Sequence, residues 1–185
     1  MMAEIDRLLE GNRRYVAGTL APKDVNARRS ETKDGQTPFA TVVTCSDSRV
    51  SPEFIFDQGI GDVFVVRNAG NVMDKIMLGS IEYGTEHLHT PLLVVMGHEK
   101  CGAVTAACKG GDNPPNIAAI MKKLRGPVKR GAGDVEKSAV ANIKSVIREI
   151  RRKSEIVKHL ESEGKLKIVG MKYFLEDGRV EVVVK

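Results

Sequence analysis

The sequence predicts an α/β fold: a mostly parallel central sheet with an antiparallel edge strand, flanking helices and an extended N-terminal helix. Short apolar, β-branched runs alternate with segments of helical periodicity, which is typical of parallel strands joined by crossover helices. The last apolar run is instead joined to its predecessor through Asp177-Gly178, a hairpin signal. Helical spacing of apolar residues also begins close to the N-terminus.

Periodicity and capping signals place the elements in order. A helix is predicted over 3–16, followed by a polar loop with one helical turn over 20–37. Strands are predicted over 39–44, 62–67, 91–97, 166–173 and 180–184. Further helices are predicted from Ser51-Pro52, over 76–88, from 103, over 117–124, over 135–150 and after Ser154. Residues 109–133 are rich in Gly, Pro and Lys, so the rest of that segment is predicted to be loop.

Length and composition indicate one globular domain over 1–185, with a helical arm at 1–37 and an α/β core at 38–185. Hydrophobic residues make up 42% of the chain and charged residues 29%, which are ordinary values. The apolar runs are far shorter than the roughly 20 residues of a membrane span. The first residues carry acids and form no apolar signal region, so a cytoplasmic location is expected.

The basic charge does not indicate nucleic-acid binding. The formal net charge is +5, but the cationic residues are spread along the chain. The densest cluster, 148–153, falls in a predicted amphipathic helix and is interpreted as a solvated helix face. Aromatic residues make up 4% of the chain and Trp is absent, which leaves little material for stacking on bases.

Three residues form a candidate metal site. Cys45 follows the first predicted strand, His98 follows the third, and Cys101 comes three residues later. In an open parallel sheet, ligands gather beyond the carboxyl ends of the strands, so these side chains are expected to meet. Two Cys and one His are donors that zinc prefers, and such a set leaves a fourth position for water.

Two other interpretations of these residues remain open. In the first, Cys108 completes a closed structural site, but a helix would place it roughly 10 Å along the axis from Cys101, at about 1.5 Å per residue. In the second, the three residues never meet. Cys108 is more simply interpreted as a small buried side chain, and the odd number of cysteines in a chain expected to be cytoplasmic argues against a disulfide framework.

The segment Cys45-Ser46-Asp47-Ser48-Arg49 bears on whether the fourth position stays open. Asp47 could itself bind the metal and close the site. Arg49, two residues further, can hold that carboxylate in a bidentate, charge-assisted pair. Asp47 would then accept a hydrogen bond from metal-bound water, and the alternative is an ordinary surface ion pair.

At these residues the sequence resembles the β-class carbonic anhydrases, in particular the plant-type members with an open site. Their C-x-D-x-R and H-x-x-C motifs stand here as 45–49 and 98–101, about fifty residues apart. The resemblance continues through 65–71 and 81–83 and covers nearly the whole chain. It implies one Zn²⁺ per subunit on Cys45, His98 and Cys101, with Asp47 and Arg49 as a gating pair.

The resemblance also implies a set of substrate-binding residues. Gln36 would donate its side-chain amide to an oxygen of CO2 or bicarbonate, and Gly102 would place its backbone near the same site. Phe64 and Tyr83 would wall the CO2 pocket. Ala69 stands where plant-type members carry a larger valine, so this pocket is expected to be roomier or differently filled.

The resemblance also bears on a proton relay and on a second bicarbonate site, two features that only some family members have. His87 occupies a position proposed as a proton relay in some members, although by itself it is simply a histidine on a helix face. Some members bind bicarbonate at a second site through Trp, Arg and Tyr. Arg67 matches that arginine, but the chain has no Trp, so we expect no bicarbonate switch and an open site near neutral pH.

The resemblance therefore implies a zinc lyase that hydrates CO2 reversibly to bicarbonate and a proton, with no nucleic-acid or membrane partner. The alternatives are hydrolysis of CS2 or COS on the same scaffold and a non-catalytic protein that binds zinc or bicarbonate. Family members lay the first helix across a neighbouring subunit. A homodimer or a multiple of dimers is thus expected, with Gln36 and Phe64 or Tyr83 contributed across the interface.

Overall fold

The computed structural model describes residues 2–185, with side chains from residue 3, and contains one five-stranded sheet. The strand order is β2-β1-β3-β4-β5. The first four strands in that order pair in parallel, whereas β5 is antiparallel to β4 at the edge. The predicted fold class is confirmed. The strands are β1 (Ala40–Cys45), β2 (Val63–Asn68), β3 (Leu92–His98), β4 (Lys167–Tyr173) and β5 (Val180–Val184).

Eight α-helices are described within residues 2–185, and none is long and apolar enough to cross a bilayer. They are α1 (Met2–Ala17), α2 (Val25–Glu31), α3 (Pro52–Ile55), α4 (Lys75–Glu82), α5 (Gly102–Lys109), α6 (Pro115–Arg130), α7 (Val135–Lys153) and α8 (Glu155–Ser162). A π-helical turn, Tyr83–His87, continues α4, and a single 3-10 turn, Ala69–Asn71, follows β2. Four helices are capped by a side chain that accepts a backbone N–H three residues on: Asp24, Asp74, Asp134 and Ser154.

The main departure from the predicted elements is α6, which is twice as long as the predicted helix over 117–124. Gly126 and Pro127 favour a break, yet the helix runs through them to Arg130. Leu124 and Pro127 are both buried, and α6 packs along α7. Tertiary packing has therefore overridden the local breaker signal.

Both faces of the sheet are covered, which explains why every residue of β1 and β3 is buried. Alternate side chains point to opposite faces. Val43 and Val95 pack with Ile143 and Ile147 of α7, while Val42 packs in the cluster on the other face. Because β1 and β3 are adjacent and parallel, their last residues lie at the same edge of the sheet.

The first helix finds its packing partner within its own chain. Leu8 is fully buried in the cluster that also contains Phe56. Asn12 is buried and donates to the carbonyl oxygens of Ile55 and Gly178 while accepting the Val180 N–H. The apolar stripe of this helix thus covers α3 and the β4–β5 hairpin of the same chain.

A buried carboxylate fastens the segment after α1 to the core. Asp57 has a fully buried side chain and accepts from Arg14 (2.6 Å), the Ala21 N–H (3.1 Å) and the Lys23 ammonium. Burial opposes its ionisation, but Lys23, the Ala21 N–H and Arg14 outweigh that effect and hold the pKa of Asp57 at about 2. Asp57 also has a positive φ of 50°, a conformation that Asn tolerates nearly as well.

Asp57→Asn should lower the free energy of unfolding at pH 7 by about 1–2 kcal/mol, since the charge-assisted bonds are lost but their partners are partly solvated. The folded-state pKa lies below the ordinary value, so this stabilisation is present above about pH 4 and is lost as the pH falls towards 2. Urea denaturation between pH 7 and pH 2 measures both effects. Asp34→Asn, an exposed change, should stay within about 0.5 kcal/mol of wild type. A difference that persisted undiminished at pH 2 would contradict this account.

Candidate metal centre

Three potential ligand atoms meet at the carboxyl edge of β1 and β3. The Cys45 and Cys101 sulfurs and a ring nitrogen of His98 lie within 4.8 Å of one another, and all three residues are buried. Cys45 ends β1, His98 ends β3, and Cys101 is the N-cap of α5. This is the one such cluster in the part of the chain that the structure describes. The predicted convergence of these residues is therefore confirmed.

The orientation of His98 leaves a lone pair for a metal. Its Nδ1 lies 2.8 Å from the Glu99 carbonyl oxygen. Because a carbonyl oxygen only accepts, Nδ1 carries the proton and Nε2 carries the lone pair. Nε2 is buried and has no hydrogen-bond partner in the described structure. A metal ion would satisfy this otherwise costly buried atom, and the Nδ1–carbonyl contact is the usual support for a histidine ligand.

The two thiols are electrostatically coupled. The Cys101 thiol donates to the Cys45 sulfur and, against the effect of burial, lowers the pKa of Cys45 to about 4, with further lowering by the neighbouring His98 side chain and by the N–H groups of Gly70 and Asp47. The same contact to Cys45, together with burial, raises the pKa of Cys101. By itself the pair thus holds one negative charge, and a cation is needed to ionise both sulfurs.

The donor set fits an ion of the zinc kind. Two sulfurs on a tetrahedral ion with bonds of about 2.3 Å would lie about 3.8 Å apart, within the observed cluster. Thiolate and imidazole donors favour zinc over magnesium or calcium, which prefer oxygen. Cys108 lies outside the cluster, at the far end of α5, where its thiol faces the Ser138 hydroxyl at 3.7 Å. The cluster therefore offers three potential protein ligands rather than a closed set of four.

A tight turn after β2 supports Cys45 from the other side. The Gly70 N–H donates to the Cys45 sulfur at 3.2 Å, and Gly70 has a positive φ of 73°. A Cβ at this position would come within 2.9 Å of the Ala103 Cβ. Asn142 of α7 fixes the turn by donating to the Gly70 carbonyl oxygen at 2.9 Å. Neither role is predicted from the sequence, although a glycine just past a strand end is a signal for such a turn.

Asp47 and Arg49 form a closely held pair beside the cluster. Arg49 donates to Asp47 through Nε (2.9 Å, Oδ1), Nη2 (2.8 Å, Oδ2) and its backbone N–H (3.0 Å, Oδ1). The guanidinium, against the effect of burial, lowers the pKa of Asp47 to about 2. Asp47 Oδ2 lies 3.8 Å from His98 Nε2, so the carboxylate borders the metal position without belonging to the three-ligand cluster.

Arg67 holds the backbone at the end of β1 and just after it, residues 45–50. Its guanidinium donates to the carbonyl oxygens of Cys45 (3.1 Å), Asp47 (2.9 Å) and Val50 (2.7 Å). These three carbonyls belong to the segment that carries the first ligand and the Asp47–Arg49 pair. Arg67 is therefore committed to fixing the backbone of that segment.

Other predicted site residues lie at the opposite edge of the sheet. Phe64 pairs in register with Thr41, near the amino end of β1, about 13 Å from Cys45 at about 3.3 Å per residue. Tyr83 packs against Phe64 (ring centroids 5.9 Å apart) and against His87 (4.6 Å). Gln36 also precedes the amino end of β1 and is exposed. Within one chain, the structure does not bring these four residues to the metal cluster.

The other two predicted substrate-binding residues, Ala69 and Gly102, do lie beside the metal cluster. Ala69 directly precedes Gly70 in the turn that contacts Cys45. Gly102 is the first residue of α5, directly after Cys101, and is exposed with no heavy atom within 4 Å of where its Cβ would stand. The predicted site is thus divided into a metal part at the carboxyl edge and an aromatic part at the amino edge.

Comparison with known proteins points to one family. A family model described as carbonic anhydrase matches residues 40–180. The chain is 39% identical over 184 residues to a carbonic anhydrase of Mycolicibacterium smegmatis, covering 95% of this chain and 89% of that protein. It is also 39% identical over 181 residues to carbonic anhydrase 2 of Mycobacterium tuberculosis, covering 93% and 87%.

Solved structures agree with this comparison. The β-carbonic anhydrase of Coccomyxa, solved in complex with acetazolamide, is 28% identical, with a TM-score of 0.79 over 96% of this chain and 85% of that one. A structure from Sordaria macrospora, described as one of two tetrameric β-carbonic anhydrases, has a TM-score of 0.77 at 24% identity over 85% and 90% of the two chains. At that identity the second likeness supports the fold alone.

Cys45→Ser should reduce the metal content of the purified protein at least about tenfold, because one of only three protein ligands is lost. Cys108→Ser is the matched control and should retain the metal, since that thiol lies outside the cluster. Inductively coupled plasma mass spectrometry on both variants, with circular dichroism to verify folding, measures the effect. Equal losses in the two variants, or full retention in Cys45→Ser, would refute the assignment.

Proposed function

The chain belongs to the β-class carbonic anhydrases, enzymes that hydrate CO2 reversibly to bicarbonate and a proton, and on this premise we propose that it does so with one zinc ion per subunit. Cys45, His98 and Cys101 would hold the ion. The single observation that carries this proposal is the buried Nε2 of His98, which has a free lone pair and faces two thiol sulfurs. Zinc, when bound, supplies Lewis acidity that lowers the pKa of a water at its open position, as it does in carbonic anhydrases generally.

Asp47 would orient the water that takes part in the reaction. Its pKa of about 2 keeps the carboxylate ionised, and an ionised carboxylate accepts hydrogen bonds but cannot donate them. Arg49 donates hydrogen bonds to both carboxylate oxygens of Asp47. Oδ2 receives only one of these bonds, so it can still accept a hydrogen bond from a water on the side that faces His98. Arg49 would thereby hold Asp47 back from the metal as a ligand while leaving it to position a water molecule.

The CO2 pocket would form between two subunits. The metal part and the aromatic part of the predicted site lie at opposite edges of one sheet, so a second copy is needed to bring Gln36, Phe64 and Tyr83 opposite the metal. Tyr83 is 47% exposed, and Ile76, about two turns earlier at the start of α4, is 79% exposed, which leaves apolar surface along this helix for an interface. We propose a homodimer or a multiple of dimers, with His87 as an accessory proton relay beside Tyr83.

The bicarbonate switch is proposed to be absent and the site open near neutral pH. In addition to the absence of Trp, Arg67 donates to three backbone carbonyls and is occupied in supporting the metal loop. Hydrolysis of CS2 or COS would use the same three ligands, so the ligands themselves do not distinguish the substrates. CO2 is favoured because relatives aligned over 87–89% of their own length are carbonic anhydrases by name.

Arg49→Gln should lower kcat/KM for CO2 hydration by about 10²-fold, since the water-orienting carboxylate loses its support. Zinc content should not change, because Arg49 contacts no ligand atom. The matched control is Arg179→Gln, because Arg179 holds Asp177 through the same two-residue spacing in the β4–β5 hairpin. Stopped-flow measurement of CO2 hydration compares the two. Equal losses of activity, or none in Arg49→Gln, would overturn the role given to this pair.

A shared site also predicts complementation between two inactive proteins. In a dimer containing one Cys45→Ser chain and one Gln36→Ala/Tyr83→Ala chain, one site has both defects and the other has neither. Random pairing after co-refolding should then restore about one quarter of wild-type activity. Native mass spectrometry verifies that mixed dimers form. If mixed dimers are present and activity remains the average of the two parents, the shared site is refuted.

A further inference from the structure

A basic groove lies between the end of α6 and one face of α7, and its lining includes none of the three candidate metal ligands. Its volume is about 550 Å³, within the range of small-molecule sites. Lys137, Lys144 and Arg148 follow one another at helical spacing along α7, so they share one face. The charged side chains that line it are Arg130, Glu136, Lys137, Lys144, Arg148 and Lys172.

The one carboxylate in the groove is already engaged. Glu136 Oε2 forms an ion pair with Lys172 at 2.7 Å, and Oε1 accepts the Lys100 N–H at 2.9 Å. The other four cations, Arg130, Lys137, Lys144 and Arg148, have no ion-pair partner within the described residues. Two nearby basic residues of α7, by contrast, do have ion-pair partners: Arg151 pairs with Glu161 and Lys153 with Glu149. The groove therefore carries four positive charges that the protein does not neutralise.

A single serine holds the two arginines together. The Ser145 hydroxyl donates to the Ala141 carbonyl oxygen at 2.7 Å, so its lone pairs are left to accept. Arg148 Nη2 donates to it at 3.3 Å, and Arg130 Nη2 donates to the same oxygen from the other helix. Two guanidinium groups are thus fixed side by side by a neutral atom. Each has five N–H donors and uses one in the described structure, so most of their donors remain for a ligand.

We propose that this groove binds a phosphorylated small molecule, with a phosphoryl group on Arg130 and Arg148 and further negative charge on Lys144 and Lys137. Paired guanidinium forks match the oxygens of a phosphoryl group, and a multivalent anion relieves the repulsion between neighbouring cations. Lys144 lies about 6 Å along the axis from Arg148, and Lys137 about 16 Å, at about 1.5 Å per residue. The step of about 6 Å from Arg148 to Lys144 suits a chain of phosphates such as that of a nucleoside triphosphate, with Lys137 adding positive charge beyond it. A monovalent anion such as bicarbonate would neutralise only one of the four charges.

The test uses the metal-loaded full chain and inorganic tripolyphosphate as the probe, with affinity measured by isothermal titration calorimetry. The Arg130→Gln/Arg148→Gln variant should bind the probe at least tenfold more weakly than wild type. The control is Arg125→Gln/Arg152→Gln, which removes one exposed arginine from each of the same two helices and changes the net charge equally. The control should bind within twofold of wild type.

Several results would overturn the proposal. These are equal loss of affinity in the two double variants, which would indicate general electrostatic attraction, and no binding of tripolyphosphate to wild type at millimolar concentration. A third is tighter binding of a short DNA duplex with the same dependence on Arg130 and Arg148, which would make the groove a nucleic-acid surface. CO2 hydration by the groove variant should equal that of wild type, because no groove arginine contacts the metal centre. CO2 hydration thus also serves as the check that the variant is folded. If the double variant has lost this activity, Lys144→Gln provides the test instead, with an expected loss of affinity of about threefold.

Discussion

The parallel pairing of β1 with β3 is the constraint on which the rest of the site depends. The register sets Thr44 opposite Met96, so the two strands end together and present Cys45 and His98 at one edge. Cys101 follows within a tight loop because α5 begins directly after it. Nothing in the local sequence around Cys45 brings it near His98, which lies 53 residues away. The sheet alone does so, and its burial on both faces is what makes the register specific.

Residues of the elements packed around this edge fix the positions of the donor atoms. Arg67 ties down the backbone that follows Cys45, and Asn142 reaches from α7 to hold the Gly70 turn against the Cys45 sulfur. The Glu99 carbonyl sets which nitrogen of His98 is free. Each of these contacts fixes a donor atom before any ion arrives, so that binding requires little reorganisation.

The sequence was informative where chemistry depends on local geometry. Strand ends predicted that the three candidate ligands meet, and the rise of a helix argued against Cys108 as a fourth. The length of α6 was underestimated because Gly126 and Pro127 locally favour a break. In the structure, packing against α7 keeps the chain helical through both residues. The resemblance implied that Gln36, Phe64 and Tyr83 are site residues, but an aligned position carries no information about which copy of the chain would supply it. Arg67 and Ser145 act through partners that only the tertiary structure reveals.

Two short segments of this chain show how far a local motif determines function. Asp47 and Asp177 are each held by an arginine two residues on, through the arginine backbone N–H and its Nε. In each case these contacts lower the pKa of the aspartate. The side chain of Asp177 is 49% exposed in a hairpin, whereas that of Asp47 is 15% exposed and lies 3.8 Å from His98 Nε2. The same local chemistry is therefore a surface ion pair at one strand end and a carboxylate bordering the candidate metal cluster at another. What separates them is the position that the parallel sheet gives to Asp47.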